Sequence, residues 1–305
     1  MKIIFSFLLL IFATLVNAQT VKIVVPYAPG GPADQIGRAI HKNLSHRLPN
    51  YNFQIESHVG AGGIIASRYV ASYSGNDTVI MVHSPAIITS SFSDDAGYNL
   101  QRDFQPIFNL GYTPMVLITN SKSAYTSIDK ILNSEKPMFF GTAGLGGSLQ
   151  LAGETLKRQT GKDMTAIPYK GDAAAVNDIL TNNLSFTFTN LSTVQSLTDS
   201  SQIVVLGVSG TRRNPKIPNV PTLAEQGIKG FETPHNWMSL FANRGANSEV
   251  INNVRKALSD SFHDPVESQS YLKAGVEIDL KNLLGATEFV SNETIRLRRL
   301  VTPAK

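Results

Sequence analysis

Three times in this chain a short apolar run ends at a cluster of glycines and gives way to a helical stripe. Val21-Lys22-Ile23-Val24-Val25 stops at Pro26, Gly30-Gly31 follow, and Ala33, Ile36, Ile40 and Leu44 then share one helical face. Pro32 suits the first turn of that helix, with Asp34 close behind. Residues 53–59 lead into Gly60-Ala61-Gly62-Gly63 and a helical pattern over 64–71. Residues 138–140 lead through Gly141, Gly144, Gly146 and Gly147 into a helix over 148–156. Further strands are expected at 79–82, 115–119, 184–188 and 203–208, and further helices at 173–180 and 250–262. Strands alternating with helices predict an α/β fold with mixed, mostly parallel sheets.

In such sheets ligands sit beyond the carboxyl ends of strands, where helices begin. Glycine lets the backbone approach a ligand closely, and the first N–H groups of a helix have no partner inside it. An anion satisfies them, and the helix dipole favours negative charge there. Ala28-Pro29-Gly30-Gly31-Pro32-Ala33 and Gly144-Leu145-Gly146-Gly147-Ser148 are therefore candidate cradles for a carboxylate or phosphate. Each also reads as a plain strand-to-helix turn.

Enzyme signatures fail. Neither loop fits G-x-G-x-x-G, no G-x-x-x-x-G-K-[ST] occurs, and no G-x-S-x-G elbow supplies a nucleophile. The absence of cysteine excludes disulfides, thiolate metal sites and cysteine nucleophiles, and His41, His46, His58, His83, His235 and His263 show no metal-ligand spacing. No cofactor or metal is expected. Lys and Arg number 27 against 23 Asp and Glu, scattered without runs of one sign, which disfavours nucleic acid as a partner. Asp94-Asp95 reads as a solvated turn, and His83-Ser84 closes a strand either as ligand contacts or as a plain terminus.

Met1-Lys2, an apolar run over 3–16 and Val16-Asn17-Ala18 ahead of Gln19 read as a cleaved signal peptide over 1–18. The run is too short to span a membrane comfortably, which takes about 20 residues. A soluble, exported and monomeric protein is the expectation. Two boundaries, near Asn120-Ser121-Lys122-Ser123 and near Gly230-Phe231-Glu232-Thr233-Pro234, would make a discontinuous first domain of 19–121 with 235–305 and an inserted second of 122–234.

Val24-Val25-Pro26-Tyr27-Ala28-Pro29-Gly30-Gly31-Pro32-Ala33-Asp34 resembles the opening motif of the Bug family, periplasmic solute receptors of tripartite tricarboxylate transporters. The likeness continues in order through Gly60-Ala61-Gly62-Gly63 and Tyr98 with Arg102-Asp103-Phe104 and Pro106. It runs on through Gly141-Thr142-Ala143-Gly144-Leu145-Gly146-Gly147-Ser148 with Leu151-Ala152-Gly153-Glu154, then Pro168-Tyr169-Lys170-Gly171. Pro218-Asn219-Val220-Pro221-Thr222-Leu223-Ala224-Glu225 and Gly230-Phe231-Glu232 before Trp237 and Phe241-Ala242 complete it.

The resemblance implies a two-domain Venus-flytrap receptor with a hinge, closing on a small carboxylate held by backbone amides and water. It implies that Tyr27 and Pro29 line the cleft, that Gly30, Gly31 and Ala33 offer amides, and that Asp34 receives a ligand donor or supports the loop. Ser84 would contribute from a neighbouring strand end, and Thr142, Gly146, Gly147 and Ser148 would form the opposing cradle. Tyr169 and Lys170 would close the far side. Many relatives carry His at Gln150, Asp at Asn190 and Gly-Ser at His83-Ser84, so these positions bear on which acid is chosen. The implied ligands are di- or tricarboxylates, acidic amino acids or aromatic acids, and the implied partners are membrane transporter subunits or a sensor kinase. The competing classes are an exported hydrolase or transferase recruiting Ser84, Ser148, His83 or Asp34, and a surface adhesion protein.

Overall fold

The computed structural model describes residues 19–144, 146–231 and 236–301. The expected signal peptide, Leu145 of the second glycine loop, and residues 232–235 of the expected second crossing lie outside the described residues.

Ten strands form two five-stranded sheets. The first contains β1 (Gln19–Val25), β2 (Tyr51–Ser57), β3 (Thr78–His83) and β4 (Phe104–Tyr112). The second contains β5 (Met115–Asn120), β6 (Met138–Thr142), β7 (Met164–Pro168), β8 (Phe186–Asn190) and β9 (Ile203–Val208). The chain then returns to the first sheet as β10 (Trp237–Asn243).

The two sheets share one plan, β2-β1-β3-β10-β4 and β7-β6-β8-β5-β9. In each, the strand that precedes a glycine loop, β1 or β6, lies between two parallel partners. Antiparallel strands complete the other half, so both sheets are mixed. The helix Pro32–Arg47 follows β1 and the helix Ser148–Thr160 follows β6. Ile23, Val24 and Val25 of β1 are fully buried, each contributing roughly 1.5–3 kcal/mol of burial. A Cβ on Gly37 would lie 2.8 Å from a Val25 methyl, and one on Gly153 2.0 Å from the Phe140 ring, so both helices lie flush on their strands through a glycine.

The chain passes between sheets at Thr113-Pro114, earlier than the boundary expected near Asn120-Ser121-Lys122-Ser123. β5 is buried along its whole length and pairs antiparallel with β8 and β9, so it belongs to the second sheet. Asn120 ends it, donating its side-chain amide to the carbonyls of Ile179 and Leu180. The Thr113 amide donates to the Asn236 carbonyl at 2.9 Å, which lays the outgoing and returning chain segments side by side.

Three strands escape the periodicity reading. β4 and β7 are edge strands, one carrying Pro106 and the other ending in Pro168, and edges tolerate proline. β10 is buried over 237–242, so it shows no alternation. The C-terminal helix Ala286–Val301 packs its buried Val290 and Leu297 on the first sheet's outer layer.

Candidate functional site

A cleft of about 620 Å³ lies between the sheets, and its walls come off the carboxyl ends of parallel strands. Tyr27, Pro29, Gly30, Gly31 and Ala33 follow β1, and Ser84 follows β3. Gly147 and Ser148 follow β6, Lys170 and Asp172 follow β7, and Asn190 closes β8. Three helices begin at this cleft, Pro32–Arg47, Ser148–Thr160 and Asp172–Leu180. Their first-turn amides and positive dipole ends face one space.

The first two helix starts are built alike. Gly30 and Gly146 adopt φ of +85° and +75°, open to glycine and strained for other residues. The N-cap residues Gly31 and Gly147 take φ/ψ of −75/170° and −75/166°. Three residues further on, a side chain turns back to cap the loop: Asp34 Oδ2 accepts the Gly30 amide at 2.9 Å, and Gln150 Oε1 accepts the Gly146 amide at 2.6 Å. The amides of Gly30 and Gly146, expected to serve a ligand, are thus taken up inside their loops. Pro32 has no amide, which leaves Ala33 and Asp34 in the first cradle and Ser148, Leu149 and Gln150 in the second as first-turn donors without a helical carbonyl partner.

Asp34 and Gln150 lie outside the cleft lining and act as loop supports. Asp34 is 2% exposed, and its Oδ1 has no hydrogen-bond partner. Burial alone would raise its pKa, but Arg38, 2.9 Å from Oδ2, and the Gly30 amide outweigh it and hold the carboxyl below its ordinary value.

Tyr27 donates or accepts a 2.8 Å hydrogen bond with Ser84 Oγ, and burial pushes the phenol up to about 12. His83 stands behind this pair, edge-on to Tyr27, and accepts the Ser84 amide on Nδ1. Burial pulls His83 down to about 4, so the ring is neutral and structural while Ser84 reaches the cleft. Thr142 is fully buried and donates to the Gly144 carbonyl, bracing the second loop from behind. The structure does not bring Tyr169 to the cleft: its hydroxyl donates to Asp178 at 2.5 Å within the second sheet's helical layer. Lys170 lines the cleft with an exposed side chain.

Asp172 and Asn236 line the cleft and went unrecognised in the sequence. An acid directly after Gly171, at the first position of a helix, was the available signal for Asp172. Asn236 had none, because its role depends on contacts between distant segments. It accepts from Ser148 Oγ at 2.9 Å and donates to Asn190 Oδ1 at 2.5 Å, and Asn190 in turn donates to Asp172. Between the two halves of the molecule, Thr89 Oγ1 donates to the Gly146 carbonyl.

The hydroxyls here are not poised as nucleophiles. Ser148 is committed to an amide oxygen and Ser84 to a phenol, and neither contacts a general base. Among the described residues no cluster of His, Asp or Glu is arranged to hold a metal, and no helix is long and apolar enough to cross a membrane.

Comparison with known proteins agrees with this geometry. A Rhodopseudomonas palustris protein, Rpa4515, solved with adipate, superposes with a TM-score of 0.83 at 26% identity, covering 93% of this chain and 96% of that one. The periplasmic binding protein BugD gives 0.80 at 26% identity, over 92% and 96%. BugT of Bordetella pertussis is 25% identical over 85% of this chain and 81% of its own, and a protein from the tcbD-tcbE intergenic region of Pseudomonas sp. strain P51 is 28% identical over 91% and 84%. Residues 36–304 match the family described as the tripartite tricarboxylate transporter family receptor. A two-sheet binding fold, a cleft floored by helix N-termini and a family match over most of its length together place the chain in the tripartite tricarboxylate transporter receptor family, whose members are solute-binding receptors and not enzymes.

Proposed function

We propose that the protein is an exported receptor that captures a small carboxylate between its two sheets and hands it to a membrane transporter. The convergence of three helix N-termini on one cleft carries this reading. The carboxylate sits between the Ala33 amide on one side and the Ser148 and Leu149 amides on the other, with Ser84 and Tyr27 supplying hydroxyls. Water fills the remaining valences, as is usual in polar clefts. The adipate held by the Rhodopseudomonas relative supports the ligand class.

Two chain segments join the sheets, one at Thr113-Pro114 and one reaching Asn236. They are the hinge about which the lobes close, and a ligand drives closure only by preferring the closed form. The Thr89 contact to Gly146 is part of the closed form. Closure presents a composite surface to the transporter, an encounter expected to be weak and transient.

The test is a thermal-shift screen of protein unfolded and refolded to remove co-purified ligand. Carboxylates at about 100 times Kd stabilise by about 2.7 kcal/mol, roughly 4–5 °C for a chain of this size. Shifts with sugars or amines and none with any acid overturn the reading.

A further inference from the structure

Among the described residues lining the cleft, only Lys170 and Asp172 carry formal charge. They stand on the same wall but in different surroundings. Lys170 is exposed, so water and salt screen it. The Asp172 carboxylate is drawn into a nest of neutral donors: Thr189 Oγ1 at 2.7 Å on Oδ1, and the Asn190 amide at 3.2 Å, Asn190 Nδ2 at 2.9 Å and Thr193 Oγ1 at 2.8 Å on Oδ2. No cation neutralises it within this set. Oδ2 is saturated by three donors, whereas Oδ1 holds one and keeps a lone pair. Burial pushes the carboxyl above its ordinary value against the pull of these donors, so a further donor from a ligand would relieve it.

We propose that Asp172 sets the specificity of the cleft, selecting carboxylates whose far end carries a hydrogen-bond donor, an ammonium ahead of a hydroxyl, and rejecting acids with a second carboxylate there. This rests on the reading that the helix N-termini hold the first carboxylate. A ligand anchored at the Ala33 and Ser148 ends projects its other end towards the wall formed by Asp172 and Asn190. A second anion there would meet a desolvated carboxylate with like charge and no intervening cation. An ammonium would meet an acceptor with a free lone pair. Specificity therefore departs from that of the adipate-holding relative.

The experiment is titration calorimetry on the purified, ligand-stripped protein with adipate, the ω-amino and ω-hydroxy monocarboxylates of equal length, and the unsubstituted monocarboxylate, repeated across chain lengths. The expected order is amino, hydroxy, unsubstituted, then diacid, with the amino acid ahead of the diacid by more than about tenfold. Asp172→Asn keeps the size of the side chain and is expected to raise diacid affinity by about tenfold while weakening the amino ligand. A wild-type protein that binds the diacid at least as tightly as the amino ligand overturns the proposal, and this comparison needs no variant to fold. An order that Asp172→Asn does not move overturns it as well. A protein that binds no acid of any kind overturns the carboxylate reading itself, a different and recognisable result.

Discussion

The two cradles at the start of the helices Pro32–Arg47 and Ser148–Thr160 have nearly the same backbone and different electrostatics. Both place a left-handed glycine before an extended glycine N-cap, both cap the loop with a side chain three residues into the helix, and both lay the helix on its strand through a glycine. In the first, the cap is the anion Asp34, balanced by Arg38 one turn later. In the second, the cap is neutral Gln150, and the residue one turn later is Glu154. The first helix also begins at Pro32 and loses a donor, whereas the second begins at Ser148 and keeps one. The same fold solution thus yields a charged, self-neutralised cradle and a neutral one with an extra amide. On the proposed reading the second is expected to be the stronger anion site, and the first the more dependent on its supports.

The largest test of this contrast places an acid in the second cradle. Gly147→Glu is expected to abolish carboxylate binding, by at least about a hundredfold, through like charge at the anion site. The melting temperature should hold within a few degrees, because φ at Gly147 is −75° and a Cβ there meets nothing nearer than 4.0 Å. Retained binding in calorimetry would remove this loop from the site.

Acid should break the first cradle before the second. His83, which backs Tyr27 and Ser84, protonates at about 4 when folded and near 6.5 when unfolded. Its folded value is depressed, so its contribution is complete above pH 6.5 and is lost as pH falls from there through 4, by about 3 kcal/mol. Denaturant melts from pH 7 to 4 should show this loss in the wild type and not in His83→Gln. Asp34 adds a second acid-sensitive support at lower pH: its folded pKa is also depressed, so its stabilisation is present above the ordinary carboxylate range and lost as pH falls through the folded value.

A smaller effect comes from making the caps alike. Gln150→Glu gives the second loop the anionic cap of the first without its arginine, beside Glu154 at the i+4 position. Carboxylate affinity is expected to fall by about tenfold with little change in stability. If calorimetry shows no change, the charge of the cap is irrelevant and the comparison between cradles loses its basis.

Much of this was legible in the residues. The strand, glycine loop and helix order was readable because β-branched runs, positive-φ glycines and helical stripes are local features. Gly31, Gly147, Ser84, Ser148 and Lys170 were singled out and do line the cleft. Tyr169 was singled out and turns away, because Asp178 one helix later offers its hydroxyl a partner. The amides of Gly30 and Gly146 looked available, and only the folded loop shows the side chains of Asp34 and Gln150 occupying them. The switch between sheets was misplaced by a strand, since an apolar run such as 115–120 does not reveal which sheet will pair with it.

The sequence by itself determined the local grammar: where strands end, where helices start, which loops need glycine, and the family likeness those motifs carry. Only the tertiary structure decided that three helix starts share one cleft, that β5 and β10 exchange between sheets, and that Asn236 links Ser148 to Asn190 and Asp172. The physical reason is range. Propensities and caps act over a few residues, whereas charge balance and hydrogen-bond satisfaction in a cleft are settled between segments far apart in the chain, Asn190 and Asn236 among them.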